Sequence, residues 1–311
     1  MNKHLFVALA ALLLAAANTF SAPLFQNKDH SPLVLASVHP LALVAASVVP
    51  EQNLKVLVPA GMTPHDFALR PSDIDLIQNA DIILWSGAQA EPYLKGFARR
   101  WPDKIWLDVS SIDPSSRITD PHWWLAPEVM KQAQAQLAEL VGADAGPFAA
   151  AVDTAMQESR TLLQPVRQRG FFVFHRAYDH WVAALGLNQV GSFTLSPEQK
   201  PGMRTLQTMR EQLQRGDVVC VFSEPEFSPA LVDSLTEGLQ VGRGELDPLG
   251  VNIKRQPMGY PMFLLDLANR ANRCLNAVNL QQRKAPQPMS NAAIERASHE
   301  LEHLEHDHDH E

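Results

Sequence analysis

The sequence predicts an α/β protein of two lobes, each a parallel sheet flanked by helices, joined by one long rigid helix. Three observations lead there. Short runs of Val, Ile and Leu alternate with helical stretches, the pattern of strand–helix units whose parallel strands are covered on both faces. The alternation breaks once, around Gly142 and Gly146, and then resumes. Between the two blocks, residues 147–169 contain no Gly and one late Pro165; as a helix at 1.5 Å per residue they would reach about 34 Å.

In the first block the strands expected are Leu33–Ser37, Lys55–Val58, Ile82–Trp85 and Ile105–Val109. The helices are Pro71–Ala80, with Pro at its first position and Ile74 and Ile77 on one face, then Glu91–Arg100 and Pro127–Val141. In the second block the strands are Phe171–Phe174, Gln189–Phe193, Val218–Phe222 and a short one ending near Leu246. Helices fill the gaps at Ala177–Leu185, Gly202–Arg215 and Pro229–Gly238, and a last one runs over Tyr260–Ala277. The expected organisation is a leader at 1–22, a lobe at 23–143, a connecting helix at 144–170, a second lobe at 171–280 and a tail at 281–311.

The leader opens with Lys3 and runs through Leu5–Ala17 almost entirely in Ala, Leu, Val and Phe. That run is shorter than the ~20 apolar residues a membrane-spanning helix needs. A basic start, a short apolar middle and small residues such as Ala15-Ala16-Ala17 describe a secretory signal peptide. The expected destination is the periplasm. Two cysteines follow it, Cys220 and Cys274. An even pair in an oxidising compartment is a candidate disulfide, with two separate buried thiols as the alternative. Net charge is −8, with no Lys/Arg cluster, which argues against nucleic acid as a partner. The expected state is a monomer.

Histidine placement carries the chemistry. His65 follows the strand Lys55–Val58, His122 follows Ile105–Val109, and His175 ends Phe171–Phe174. Asp247 follows the last short strand. In open α/β sheets, ligands bind at the carboxyl ends of strands. Two His from one lobe, with a His and an Asp from the other, are therefore placed to meet in the cleft between lobes. Neutral imidazoles with a carboxylate or water suit Zn²⁺ and disfavour Mg²⁺ and Ca²⁺. His39 ends the first strand and is a lesser candidate; His180, five residues from His175, points away from it on a helix.

Five segments carry a resemblance. Gly61-Met62-Thr63-Pro64-His65-Asp66-Phe67, Asp120-Pro121-His122-Trp123-Trp124-Leu125 and Phe172-Val173-Phe174-His175-Arg176-Ala177-Tyr178 are similar to the three metal-ligand segments of the metal-binding receptors of ABC transporters. Cys220-Val221-Phe222-Ser223-Glu224-Pro225-Glu226-Phe227 and Leu246-Asp247-Pro248-Leu249-Gly250 complete the set, in the family's order. The chain most resembles the ZnuA-type zinc receptors of solute-binding protein family 9, in which His fills the third ligand position. The resemblance implies that His65, His122 and His175 bind zinc as transported cargo. It matches Asp247 to the fourth ligand of related manganese receptors, a place that water or another carboxylate can take in zinc receptors, and it implies Glu224 orienting a ligand His from behind and Cys220 paired with Cys274. It also implies an inner-membrane ABC permease as partner, and no catalysis. Three departures stand out: Pro64 replaces the Glu that some zinc receptors carry before the first His, Ala126 follows Leu125 where Asp is usual, and Ser115–Asp120 is short and without His.

The tail offers a substitute for that missing His loop. His299, His303, His306, His308 and His310 lie among Glu and Asp, and on a helix the first three share a face. They form an expected auxiliary zinc collector. His299-Glu300-Leu301-Glu302-His303 also fits the zinc-protease pattern, but no chain remains beyond it to build a catalytic cleft. Two other readings stay beside the zinc receptor: a manganese or other divalent-metal receptor of the same family, and a zinc hydrolase.

Overall fold

A computed structural model describes residues 31–277 apart from 66, 195–202, 229 and the side chain of Met203. The expected leader at 1–22 and the tail at 281–311, with its five histidines, lie outside the described residues.

Two four-stranded parallel sheets organise the chain. The first holds β1 (Val34–Ala36), β2 (Leu54–Val56), β3 (Ile82–Trp85) and β4 (Ile105–Asp108), in the order β2-β1-β3-β4. The second holds β5 (Gly170–His175), β6 (Gln189–Thr194), β7 (Val218–Ser223) and β8 (Gly242–Glu245), in the order β6-β5-β7-β8. The second half thus repeats the strand order of the first. The inner strands β1, β3 and β5 are buried along their whole length, as strands covered on both faces must be.

Helix α1 (His39–Ala45) connects β1 to β2, where the sequence reading places none. Pro40 occupies its first turn, and Leu41 through Ala45 are all fully buried. A short helix that is apolar all round has no polar face, so it carries no helical period to detect. Helix α2 (Pro71–Asn79) begins as expected at Pro71. Helix α3 (Lys95–Arg100) begins four residues later than expected. Glu91 is turned inward instead, where its carboxylate accepts the Ser86 amide at 2.7 Å. Helix α4 (Pro127–Val141) has the expected bounds.

The connecting helix is shorter than the sequence suggests. Helix α5 covers Phe148–Leu163, about 24 Å at 1.5 Å per residue, and Gln164–Val166 forms a 3-10 turn. Pro165 has no amide to donate, so the α-helical ladder cannot pass through it. Nor is α5 alone between the halves. It packs along α9 (Gly259–Ala277), which also packs on α1 of the first half and on β8 of the second. Helices α6 (Asp179–Leu185), α7 (Met203–Gln214) and α8 (Ala230–Thr236) complete the second half. No described helix is long and apolar enough to cross a membrane.

The core follows the strand alternation. Phe171 and Val173 of β5 face a continuous apolar cluster shared with β1, β3, α5 and α9. Phe172 and Phe174 face the opposite way, into a smaller cluster with α7 and α8. Cys220 of β7 and Cys274 of α9 form a disulfide, with Cα atoms 6.0 Å apart. Gly244 of β8 makes room for it: a Cβ there would stand 2.8 Å from the Phe222 ring and 3.0 Å from the Cys274 Cβ.

Glu91 supplies a test of this fold. It is fully buried, and burial raises its carboxyl to about 7, against the hydrogen bond from the Ser86 amide. The unfolded chain releases this proton near pH 4.5, the folded chain only near 7. Folded protein therefore binds more protons between those values, and stability falls as pH rises through that window. Glu91→Gln is expected to remove the dependence. Its stability relative to the wild type should improve by about 3 kcal/mol between pH 4.5 and 8, at 1.36 kcal/mol per pH unit. Urea unfolding of both proteins at the two pH values reads this difference directly; an equal gap at both would refute it.

Candidate metal centre

Each expected histidine sits at or beyond the carboxyl end of a strand. His65 lies in the loop after β2, where the Thr63 hydroxyl accepts its amide at 3.2 Å. His122 follows β4 and precedes the 3-10 turn Trp123–Leu125. His175 is the last residue of β5. One nitrogen from each converges within 4.8 Å, so residues from both sheets share one site. The Nε2 atoms of His65 and His122 are 3.0 Å apart, and those of His175 and His122 are 3.3 Å apart. Tetrahedral zinc with Zn–N bonds near 2.05 Å sets its nitrogens about 3.3 Å apart. The spacing therefore fits an ion at the centre.

Two of the three rings are oriented from behind by carboxylates. His122 Nδ1 donates to Asp120 Oδ1 at 2.5 Å, and His175 Nδ1 donates to Glu224 Oε2 at 2.6 Å. Protonation at Nδ1 leaves the Nε2 lone pair for an ion and raises its basicity. Burial opposes a charged His175, but the Glu224 carboxylate outweighs it and the imidazole pKa is raised. Burial likewise opposes the Asp120 carboxylate, yet its bonds to His122 bring it below the usual range. Asp120 reaches further: its Oδ2 accepts the Asp179 amide at 2.9 Å, at the start of α6 in the second half.

Asp247 stands outside the cluster of imidazole nitrogens, and its carboxylate is engaged by its own loop. Oδ1 accepts the amides of Leu249 and Gly250 at 2.9 and 2.8 Å, and Oδ2 accepts that of Val251 at 2.8 Å. The carboxylate therefore shapes the turn after β8. That turn in turn serves the site, because Trp124 donates from Nε1 to Pro248 O at 2.8 Å and packs edge-on to His122. His39 and His180 also stay out. His39 Nε2 pairs with Ile253 O at 2.9 Å, and His180 Nε2 pairs with Asp120 O at 2.8 Å while its ring lies against Trp123.

Two acidic residues of the site were given no role by the sequence reading. Asp120 stands two residues before a candidate His, a proximity that could have marked it. Glu226 stands two residues after Glu224 and lines the chamber with His65, His122, His175 and Trp124. Burial raises its carboxyl to about 8; the charges of Asp247 and Glu224 add to the rise, and its own amide and His175 oppose it.

The family profile described as ZnuA, zinc-uptake complex component A periplasmic, matches residues 34–274. The chain belongs to this family. It is 32% identical over 320 residues to the high-affinity zinc uptake system protein ZnuA of Yersinia pestis, covering 88% of this chain and 98% of that protein. It is 30% identical over 287 residues to the protein of the same name from Haemophilus ducreyi, covering 78% and 93% respectively. In fold it is similar to the periplasmic zinc binding protein TroA from Treponema pallidum, with a TM-score of 0.67, 18% identity, and coverage of 79% of this chain and 99% of that one. The family match spans all three histidines, the disulfide and the carboxylates behind the rings.

Proposed function

We propose that this chain is a periplasmic receptor that captures Zn²⁺ at His65, His122 and His175 and delivers it to an inner-membrane ABC permease. The observation that carries this reading is the convergence of three imidazole nitrogens from two sheets within 4.8 Å, with the two spacings to His122 close to those of tetrahedral zinc. Three neutral nitrogens suit zinc better than the harder cations. Family membership and the shared name of its relatives support zinc uptake as the setting. The ion is cargo: it is held and released, and the chain performs no reaction on it. The disulfide between Cys220 and Cys274 and the leader at 1–22 suit an exported protein.

Each residue has a separate task. His65, the most exposed of the three, forms the outer side of the site, while His122 and His175 are buried. Asp120 and Glu224 fix the two buried rings. The His-rich tail is an auxiliary collector feeding this site.

Competitive titration of the full chain with Zn²⁺ and Mn²⁺ tests the reading. One tight site per chain that prefers Zn²⁺ supports it; preference for Mn²⁺, or no tight site, overturns it. The supporting carboxylates give a graded check. Asp120→Asn and Glu224→Gln are each expected to weaken zinc binding roughly ten- to hundredfold, the usual effect of losing a partner behind a ligand His. Unchanged affinity in both would deny them that role.

A further inference from the structure

We propose that Glu226 supplies the fourth donor to the ion held by His65, His122 and His175. The proposal rests on the zinc-receptor reading of that cluster and goes one step past it. Tetrahedral zinc takes four donors, and the histidines provide three. The carboxylates near the site differ sharply in what they already do. Asp120 is engaged by His122 and Asp179, Glu224 by His175, and Asp247 by three amides of its own turn.

Glu226 is the exception. Its side chain lines the same chamber as the three histidines. Both of its carboxylate oxygens are enclosed, and neither is hydrogen-bonded to another described residue. A buried carboxylate with no partner is costly, and so is a doubly charged ion among neutral imidazoles. Direct contact offsets both costs at once. Trp124, Phe227, Pro248 and Leu249 present largely apolar surface to the chamber, so few other donors stand near the open position. Glu226 stands outside the 4.8 Å cluster of imidazole nitrogens, so ligation requires its side chain to swing inward as the ion arrives. The turn residues Pro225 and Phe227 on either side leave that motion to the side chain rather than to a strand.

The test uses full-length protein loaded with Co²⁺, whose visible absorption reports the ligand set, and azide as a competing small anion. With Glu226 on the metal, the wild-type spectrum is expected to ignore azide. Glu226→Gln and Glu226→Ala should open a position that azide fills, with a spectral change. Their zinc affinity should fall at least roughly tenfold, as for loss of a supporting partner or more. Thermal melts of the metal-free variants check that both remain folded. A wild-type spectrum that responds to azide overturns the proposal, since the fourth position is then held by water; that arm needs no variant. Equal zinc affinity in wild type and both variants overturns it as well. If instead His175→Ala leaves Co²⁺ binding intact, the histidine site itself is wrong and the proposal falls with it.

Discussion

Replacing His175 with alanine is expected to lower zinc affinity by more than about a hundredfold, beyond what loss of a supporting carboxylate causes. The substitution removes one of three converging nitrogens. It also strands Glu224, a buried carboxylate that His175 Nδ1 contacts at 2.6 Å. Some loss of stability should therefore accompany it, because an unpaired buried charge is unfavourable. A competitive zinc titration with a chelator of known affinity measures the binding loss, and a melt of the metal-free protein separates it from unfolding. The parallel experiment removes 291–311. Tight binding should survive that truncation. Binding that vanished with the tail and ignored His175 would move the metal site out of the cleft.

The second large effect concerns the disulfide. Cys220 and Cys274 are 54 residues apart in sequence, and they join a central strand to the last described helix. On the chain-entropy estimate, closing a loop of that length contributes about 4 kcal/mol, by limiting the unfolded ensemble. The pair Cys220→Ala and Cys274→Ala should lose about that much, with a further cost from the space left around two buried sulfurs. Equilibrium urea unfolding of metal-free protein is the measurement. A loss below about 1 kcal/mol would show that the unfolded chain is already confined without the bond.

Much of this architecture was readable because central parallel strands leave continuous apolar runs. Ile82–Trp85 and Pro127–Val141 have the bounds their residues suggest. The convergence of His65, His122 and His175 was readable for a topological reason: a His at the carboxyl end of a parallel strand has few places to point except the cleft. What escaped has physical causes as well. Helix α1 is apolar on every side, so its period is silent. The break at Pro165 is local chemistry overriding a long run of helix formers. Asp247 and Glu226 were the harder cases. Both are acids near strand ends, and sequence does not say which will turn back to cap its own loop. Three successive amides after Asp247 decide that case, and they exist only once the turn has formed.

Asp120 ties a metal-facing ring to the opposite half of the molecule through two oxygens of one carboxylate. In the proposed receptor, ion occupancy and this contact between the halves are thermodynamically linked, and linkage is reciprocal. Whatever an ion adds to the free energy of holding the halves together, their contact returns as affinity. Anything that parts α6 from the loop bearing Asp120 lowers affinity without touching a single imidazole. Unloading then needs no rival chelator, only leverage applied at a distance from the ion.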